Sequence, residues 1–269
     1  MADTYVGAID QGTTGTRFMV FDHSGQVVAN AYEKHEQIYP EPGWVEHDPV
    51  EIWENTQEVV TQGLADAGVG AEQLEALGIT NQRETTIVWD KETGKPVHNA
   101  LVWQDRRTTD RVEEIQEEDK VEWIRGKTGL ECDAYFSATK TEWILDNAEP
   151  LKMQSSRGAD LRDRARDGEL LMGTIDAWLI YKLTGNHITD VSNASRTMLY
   201  NIHDMEWDDE LLEEFGVPES MVPEVRPSSD ESLYGHTDAD GFLGEEVPVA
   251  GALGDQQAAL FGQTCFDEG

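Results

Sequence analysis

The chain has 269 residues, 54 of them acidic and 20 of them Lys or Arg, which gives a net charge of −34. The acidic residues are spread along the chain and no basic patch is visible, which argues against a nucleic-acid partner and against a clustered metal store. Hydrophobic residues make up 38% of the chain, enough for a folded core. We interpret the charge as adaptation of a halophilic protein to a salty cytoplasm, in which ions screen the self-repulsion.

The two cysteines, Cys132 and Cys265, offer neither the spacing of a metal site nor a disulfide framework. The N-terminus lacks the basic and apolar regions of a signal peptide, and no apolar run is long enough to span a bilayer. These features predict a reduced, soluble, cytoplasmic protein without a membrane partner.

The first third of the chain predicts strands around one long helix. Apolar runs at residues 5–9 and 18–21 flank a polar turn and predict a β-hairpin, in which Gly12 and Gly15 permit backbone angles that other residues avoid. A strand at residues 26–32 follows it.

The long helix is predicted from its end signals. Asp48 is the N-cap, Pro49 occupies the first helical position, Glu51 the capping-box position, and Gly68 lies beyond the end. Further strands are predicted after this helix, at residues 76–80 and 85–89, with a third one ending near Trp103.

The remainder is predicted to be mainly helical. The polar stretch at residues 149–168 predicts a loop with a short charged helix and looks like an insertion. A strand is predicted at residues 247–253. Helices are predicted at residues 106–117, 121–127, 137–147, 174–183, 208–215 and 256–263. Strands joined by crossover helices make the fold class α/β.

Polar residues follow three of the predicted strands. Asp10 follows the first strand, Arg83 and Glu84 come shortly after the strand ending at Thr80, and Asp255 follows the last strand. Open α/β sheets bind ligands at the carboxyl ends of their strands. We therefore expect these side chains at one edge of the sheet.

The turn between the first two strands suits a nucleotide phosphate. Its backbone N–H groups, the hydroxyls of Thr13, Thr14 and Thr16, and the charge of Arg17 would attract an anion. Asp10 beside an anion makes sense with a cation such as Mg²⁺ between them. No Walker loop occurs in the chain, and an ordinary turn remains an open alternative.

Arg83 and Glu84 together donate to and accept from hydroxyl groups, which suits a polyol. Trp103 and Tyr135 would form an apolar wall for its carbon atoms. On spacing alone, a surface ion pair with two core aromatic residues is the favoured alternative. Asp255 is either a general base for an attacking hydroxyl or only a helix N-cap.

Five stretches of the chain, read together, resemble the FGGY family of carbohydrate kinases. They are Asp10-Gln-Gly-Thr-Thr, the stretch from Tyr39 to Pro49, Gly78 to Trp89, Asn193 to Met198, and Gly254 to Gly262. The resemblance implies an actin-like ATPase, ribonuclease H-like domain with a mixed β-sheet and flanking helices. It also implies transfer of the γ-phosphate of ATP to glycerol, giving sn-glycerol 3-phosphate and ADP.

Residue roles follow from the same resemblance. Asp255 would be the catalytic base, and Asp10 would bind Mg²⁺. Phosphate groups of the nucleotide would be held by Thr13, Thr14, Gly15 and Arg17. Glycerol would contact Arg83, Glu84, Trp103, Tyr135, Asp255 and Gln256. A kinase for another polyol or ketose, a non-catalytic polyol-binding half-module and an actin-like ATPase remain alternatives.

The resemblance further implies that residues 1–255 form the glycerol-binding N-terminal domain. Residues 256–269 would begin the connection to a second, nucleotide-binding domain that this chain lacks, so the isolated chain is expected to be inactive. We expect the full-length form to be a homo-oligomer. The acidic stretch 238–246 replaces a Gly/Arg-rich loop that binds fructose 1,6-bisphosphate in some bacterial relatives, so control by that compound is expected to be absent.

Overall fold

The computed structural model of the chain describes residues 4–148, 160–229 and 234–266. The strands are β1 (Tyr5–Gln11), β2 (Gly15–Phe21), β3 (Val27–Lys34), β4 (Glu46–His47), β5 (Leu74–Asn81), β6 (Ile87–Asp90), β7 (Ala100–Leu101), β8 (Leu170–Gly173), β9 (Ile188–Asp190), β10 (Tyr200–Asn201), β11 (Glu206–Trp207), β12 (Glu224–Arg226), β13 (Gly235–His236) and β14 (Pro248–Gly254). The α-helices are α1 (Pro49–Ala67), α2 (Thr109–Glu117), α3 (Val121–Thr128), α4 (Ser137–Asn147), α5 (Leu161–Arg166), α6 (Ile175–Thr184), α7 (Val191–Ala194), α8 (Asp209–Glu214) and α9 (Asp255–Gly262).

A mixed six-stranded sheet in the order β13-β14-β5-β1-β2-β3 forms the centre of the fold. β1 pairs parallel with β5 and β5 parallel with β14, whereas β2, β3 and β13 are antiparallel to their neighbours. Thr80 of β5 lies in register with Asp10 of β1 and with Leu253 of β14. The carboxyl ends of three parallel strands therefore share one edge, which confirms the predicted meeting of the polar clusters.

Two apolar cores hold the chain together. The first packs α1 and α6 against the central sheet and contains Ile9, Phe18 and Trp178, all nearly or fully buried. The second lies around β6 and β8, where α2, α3, α4, α5 and α8 bury residues such as Ile144 and Phe215. None of the helices in the described ranges combines the length and apolarity needed to cross a bilayer.

The end signals of α1 are confirmed with one correction. Asp48 caps the helix by accepting the Val50 N–H at 2.8 Å, and Gly68 ends it in the left-handed conformation at φ 66°. The predicted capping box is wrong, because the Glu51 carboxylate accepts the N–H of Glu36 instead, at 3.1 Å from each oxygen. Glu51 therefore ties the chain after β3 to the first turn of α1.

Several other boundaries differ from the prediction. α2 begins at Thr109 because Arg107 turns inward and its N–H is bonded to the Asp105 carboxylate at 2.9 Å. β6 begins later than predicted, and β8, which pairs with it, was not predicted. The short charged helix of the 149–168 stretch is α5, while residues 149–159 lie outside the described part of the chain.

Candidate active site

The shared sheet edge brings together a basic and an acidic side chain from two strands. Arg83 follows β5, and its Nε lies 3.4 Å from Oδ1 of Asp255, the first residue of α9 after β14. The Arg83 side chain is only 6% exposed, whereas that of Asp255 is 48% exposed. One face of the carboxylate is thus held by a buried cation while the other remains open.

The absence of a side chain at Gly254, the last residue of β14, allows this strand end to lie close to Arg83. A Cβ at this position would lie 2.4 Å from Cδ of Arg83, so only glycine fits. Its N–H donates to the hydroxyl of Ser192 at 2.9 Å. Gly254 also occupies the N-cap position of α9, so the alternative that Asp255 is the N-cap is wrong. Oδ1 of Asp255, which lies beside Arg83, also accepts the N–H of Gln256 at 2.8 Å, so the carboxylate is held at the start of the helix.

Glu84 is buried beside Arg83, with 1% of its side chain exposed. Its Oε1 accepts from Nε of Arg196 at 2.7 Å and lies 4.0 Å from Nη2 of Arg83. Burial raises the pKa of Glu84, and the hydrogen bond from Arg196 and the charge of Arg83 oppose that shift. The alternative of a surface ion pair is wrong, because both members of the Arg83–Glu84 pair are buried.

The backbone of Glu84 is unusual, with a positive φ of 62°. Such a conformation costs free energy in a residue other than glycine and persists only where the surroundings impose it. The Glu84 carbonyl accepts from the hydroxyls of Ser137 and Thr86, each at 3.0 Å. These two bonds hold the Glu84 backbone in place.

Two aromatic rings stand beside this ion pair. The ring centroids of Trp103 and Tyr135 are 5.6 Å apart and tilted by 60°. The hydroxyl of Tyr135 lies near enough to the Glu84 carboxylate to oppose the rise in its pKa. We call Arg83, Glu84, Trp103 and Tyr135 the Arg–Glu pocket. It combines a donor and an acceptor with an apolar wall, the chemistry that the sequence suggested for a polyol.

The turn between β1 and β2 and the first residues of β2 form the other part of the site, and we call residues 12–17 the 12–17 hairpin. Thr14 and Arg17 are exposed, and the hydroxyl of Thr14 lies 3.3 Å from that of Tyr32. Neither Gly12 nor Gly15 has a positive φ, which corrects the reason expected for these glycines. Gly15 is required because a Cβ would lie 2.4 Å from the Glu33 carbonyl oxygen of β3.

A direct hydrogen bond links the hairpin to the pocket. Nε1 of Trp103 donates to the hydroxyl of Thr13 at 3.0 Å. The Trp103 N–H in turn donates to the hydroxyl of Thr85, which follows the Arg83–Glu84 pair in sequence. The aromatic wall is therefore attached to both parts of the site.

A buried polar network beneath the hairpin, which sequence reasoning missed, provides a second link. The amide of Gln82 donates to Oε1 of Gln11 at 3.0 Å and lies 3.4 Å from Nδ1 of His47. Nε2 of His47 is 3.0 Å from Oε1 of Gln37, whose amide donates to the Thr13 carbonyl at 2.9 Å. Burial lowers the pKa of His47 to about 3, so its ring is neutral at physiological pH.

Two further contacts were also missed. Arg196, to which the sequence assigned no role, is the cation that donates to Glu84. Nη1 of Arg83 donates to Gln257 at 3.3 Å, whereas the predicted ligand Gln256 has an exposed side chain. No local pattern marks Arg196 or Gln257; only the family stretches at residues 193–198 and 254–262 contain them.

The carboxylates at this edge fit a magnesium ion brought by a nucleotide. Burial raises the pKa of Asp10, the nearby charge of Asp255 raises it further, and Arg17 opposes both. Within the described residues no group of three or more metal-binding side chains occurs. One or two carboxylates are the protein ligands that Mg²⁺ needs when phosphates and water supply the others.

Comparison with known proteins agrees with this geometry. A model of the N-terminal domain of the FGGY family of carbohydrate kinases matches residues 5–262. A curated glycerol kinase from Haloarcula marismortui is 98% identical over 269 residues, covering 100% of this chain and 53% of the relative. Another from Haloferax volcanii is 76% identical over 267 residues, covering 99% of this chain and 52% of the relative.

Solved structures show the same relationship. The crystal structure of Plasmodium falciparum glycerol kinase with ADP has a TM-score of 0.89 and 34% identity, covering 99% of this chain and 51% of that chain. A xylulose kinase from Lactobacillus acidophilus, at 20% identity and a TM-score of 0.80, covers 97% of this chain and 50% of that chain. The latter shows the fold alone, and both support the expected actin-like, ribonuclease H-like class.

The chain spans about half the length of the curated relatives it matches. The matched region of the family model extends from the first residues of β1 to the last residue of α9. It thus includes both parts of the candidate site. This chain belongs to the FGGY family of carbohydrate kinases.

Proposed function

We propose that this chain is the substrate-side half of a kinase that transfers the γ-phosphate of ATP to glycerol. The observation that carries the proposal is the buried Arg83–Glu84 pair, which lies against Asp255 and the Trp103–Tyr135 wall. Each hydroxyl of a polyol offers one donor and two acceptor sites, which an adjacent arginine and glutamate can satisfy together. The glycerol kinases that match the whole chain support glycerol as the polyol.

In this proposal Asp255 takes the proton from the attacking hydroxyl as general base. Arg83 and Glu84 hold the other hydroxyls, and Arg83 keeps the Asp255 carboxylate oriented toward the attacked phosphorus. Trp103 and Tyr135 pack against the carbon chain, and the exposed Gln256 would close over it. Phosphoryl transfer depends mainly on positioning and charge neutralisation, which this arrangement supplies.

The 12–17 hairpin would hold the phosphate end of the nucleotide. Thr13, Thr14 and Gly15 offer hydroxyl and backbone donors, and Arg17 offers a positive charge. Asp10 would hold Mg²⁺, which neutralises phosphate charge when bound. We propose that the remaining half of a longer polypeptide binds the rest of the nucleotide, because the matched relatives are about twice as long as this chain.

Leu260, Phe261 and Phe266 form an exposed apolar patch on and after α9, where that second half would begin.

We further propose that the protein is cytoplasmic, self-associates, and works at molar salt, where ions screen its charge of −34. The domain boundaries of 1–255 and 256–269 are proposed on the same grounds.

A second candidate is a kinase for another polyol or ketose, since xylulose and gluconate kinases share this fold. A non-catalytic polyol-binding half-module is a third. These candidates differ in acceptor dependence, so the test is an assay of ADP release at molar KCl. The enzyme is this chain joined to the remaining half of the Haloarcula marismortui relative, which we call the joined protein.

We expect glycerol to give saturable ADP release by the joined protein and none by the chain alone. Xylulose or gluconate as the better acceptor would establish the second candidate, and polyol binding without ADP release would establish the third. Equal release without any acceptor would contradict all three and indicate an ATPase. Fructose 1,6-bisphosphate is expected to leave the rate unchanged, since residues 238–246 contain no arginine.

A further inference from the structure

A lysine side chain lies inside the protein directly behind the aromatic wall of the Arg–Glu pocket. Lys140, in α4, has no exposed surface. Lysine is almost never fully buried unless it is paired with an acid. Its hydrogen-bond acceptors within the described ranges are instead three successive backbone carbonyls, those of Ala134, Tyr135 and Phe136.

The number of acceptors matches the charged form of lysine. Nζ lies 2.7 Å from the Tyr135 oxygen and 3.3 Å from that of Phe136, and it also donates to the Ala134 carbonyl. An ammonium group has three N–H donors and no acceptor, so it satisfies three carbonyls one to one. A neutral amine has two N–H donors and a lone pair, which would leave one buried carbonyl without a donor.

These three residues, the 134–136 segment, carry two rings that face the site. The hydroxyl of Tyr135 lies near the Glu84 carboxylate and opposes the rise in its pKa, and its ring packs against Trp103. The guanidinium of Arg196, which donates to Glu84, lies 5.9 Å from the Tyr135 ring centroid and 5.0 Å from that of Phe136. The position of this backbone therefore sets where the aromatic wall stands relative to the buried carboxylate.

Charged groups from several surrounding elements affect the ammonium. Asp105 follows β7, Glu84 follows β5 and Asp133 precedes the 134–136 segment, and all three favour the charged form; Arg106 opposes it. Burial has the largest effect and lowers the pKa of Lys140 to about 7. A lysine is charged below its pKa, so the ammonium form is complete in acid and is lost as the pH rises above neutrality.

We propose that Lys140 is a positioning residue whose ammonium holds the 134–136 segment, so that Tyr135 stands against the bound polyol and polyol affinity depends on this proton. The inference rests on the proposed function. It identifies the proton on Lys140 as a factor that controls polyol affinity at the same site. Lys140 lies behind the wall and acts through Tyr135 without touching the substrate.

The test uses the joined protein and measures the KM values for glycerol and ATP and kcat between pH 6 and pH 9. The variants are Lys140→Met and Lys140→Arg, with Lys182→Met as a matched control. Lys182 is a half-buried lysine in α6 that packs on Trp53 and Trp178 in the other core. Saturable ADP release by the unmodified protein establishes the proposed function separately, before any variant is compared.

We expect the glycerol KM of the unmodified protein to rise as the pH passes from 7 to 9. Lys140→Met should raise it about tenfold at pH 6.5 and remove the pH dependence, with the ATP KM unchanged, because a displaced wall misplaces only the polyol. Lys140→Arg keeps its charge throughout this range, so its glycerol KM should be lower than that of Lys140→Met and independent of pH. Lys182→Met should behave like the unmodified protein.

Two results would overturn the proposal. One is a Lys140→Met variant with the same pH profile for glycerol as the unmodified protein; the other is an equal rise in both KM values. If neither variant folds, glycerol affinity of the unmodified protein, measured by tryptophan fluorescence across the same range, decides the matter. A constant affinity from pH 6 to pH 9 contradicts the proposal.

Discussion

The Arg–Glu pocket and the 12–17 hairpin lie at one sheet edge but are built in opposite ways. In the pocket, the charged atoms of Arg83 and Glu84 are buried and held by partners from distant parts of the chain. In the hairpin, Thr14 and Arg17 project into solvent beside the exposed ring of Tyr32. The pocket is therefore preorganised within this chain, whereas Thr14 and Arg17 of the hairpin are open to solvent.

The contrast shows where each part gains its specificity. A buried ion pair imposes a fixed geometry because an unpaired buried charge is costly. Exposed groups impose little geometry and are screened by salt, so a phosphate bound there needs additional contacts. We expect substitutions in the pocket to act strongly and selectively on the polyol, and substitutions in the hairpin to act weakly.

The largest effect is expected from Asp255→Asn in the joined protein. If Asp255 is the general base as proposed, its loss should lower kcat by about 10² to 10⁴-fold and change the glycerol KM by less than about threefold. Steady-state ADP release at molar KCl measures both constants. Asp209→Asn is the control, because Asp209 is likewise the exposed first residue of a helix. Turnover that survives in Asp255→Asn would show that Asp255 is not the base.

Arg196→Met tests the preorganisation of the pocket. It removes the ion pair at 2.7 Å and leaves the buried Glu84 carboxylate with the ion pair to Arg83 at 4.0 Å, and we expect the glycerol KM to rise about 10 to 100-fold with the ATP KM unchanged. Arg196 opposes the raised pKa of Glu84, so its loss should also move the acid limb of kcat/KM to higher pH.

The control for this prediction is Arg166→Met, which removes an exposed arginine from a surface pair with Asp163 in α5. It should change neither KM value, since exposed pairs contribute little. If both arginine variants altered glycerol and ATP binding equally, the pocket would have no selective role and the contrast with the hairpin would fail.

A smaller effect is expected where the two parts meet. Nε1 of Trp103 donates to the hydroxyl of Thr13, so a double-mutant cycle of Trp103→Phe and Thr13→Val should show a coupling of about 1 kcal/mol in kcat/KM for glycerol. The four proteins of the cycle are assayed under one condition. If the free-energy changes of the two single substitutions add up to that of the double variant within about 0.3 kcal/mol, the pocket and the hairpin act independently.

The polar clusters at one sheet edge could be predicted from the sequence, because the signals for them lie in short stretches of the chain. Each polar cluster followed a short apolar strand, and helix ends such as Asp48 and Gly68 carry recognisable chemistry. Parallel pairing of β1, β5 and β14 then placed the clusters together. The fold class and the meeting of the clusters needed no knowledge of distant contacts.

What the sequence did not predict depends on distant partners. Arg196 and Glu84 are 112 positions apart, and nothing in either neighbourhood signals their contact. In the sequence, Lys140 resembles any other lysine of a helix. Only the structure shows that its amine donates to three carbonyls of the preceding segment. β8 was not predicted because its four residues directly follow a polar stretch, and the strand with which it pairs, β6, is distant in the sequence.

The last prediction concerns stability instead of catalysis, and the network that joins the two regions. His47 is buried with its pKa lowered to about 3, so folding favours its neutral ring. This stability is present above the ordinary pKa of histidine, near 6.5, and is lost as the pH falls toward 3. In His47→Gln nothing titrates at this position, so the free energy of unfolding should depend less steeply on pH.

Urea unfolding at molar KCl between pH 7 and pH 5 measures this difference. The unmodified protein should lose about 2 kcal/mol more than His47→Gln over that range, since each pH unit through such a shift changes stability by about 1.4 kcal/mol. The exposed His236→Gln should retain the original slope. Equal slopes for the unmodified protein and His47→Gln would mean that the ring is protonated inside the fold. The Gln82–His47–Gln37 network would then have to rearrange with pH, and the Trp103–Thr13 hydrogen bond would remain as the fixed link between the hairpin and the pocket.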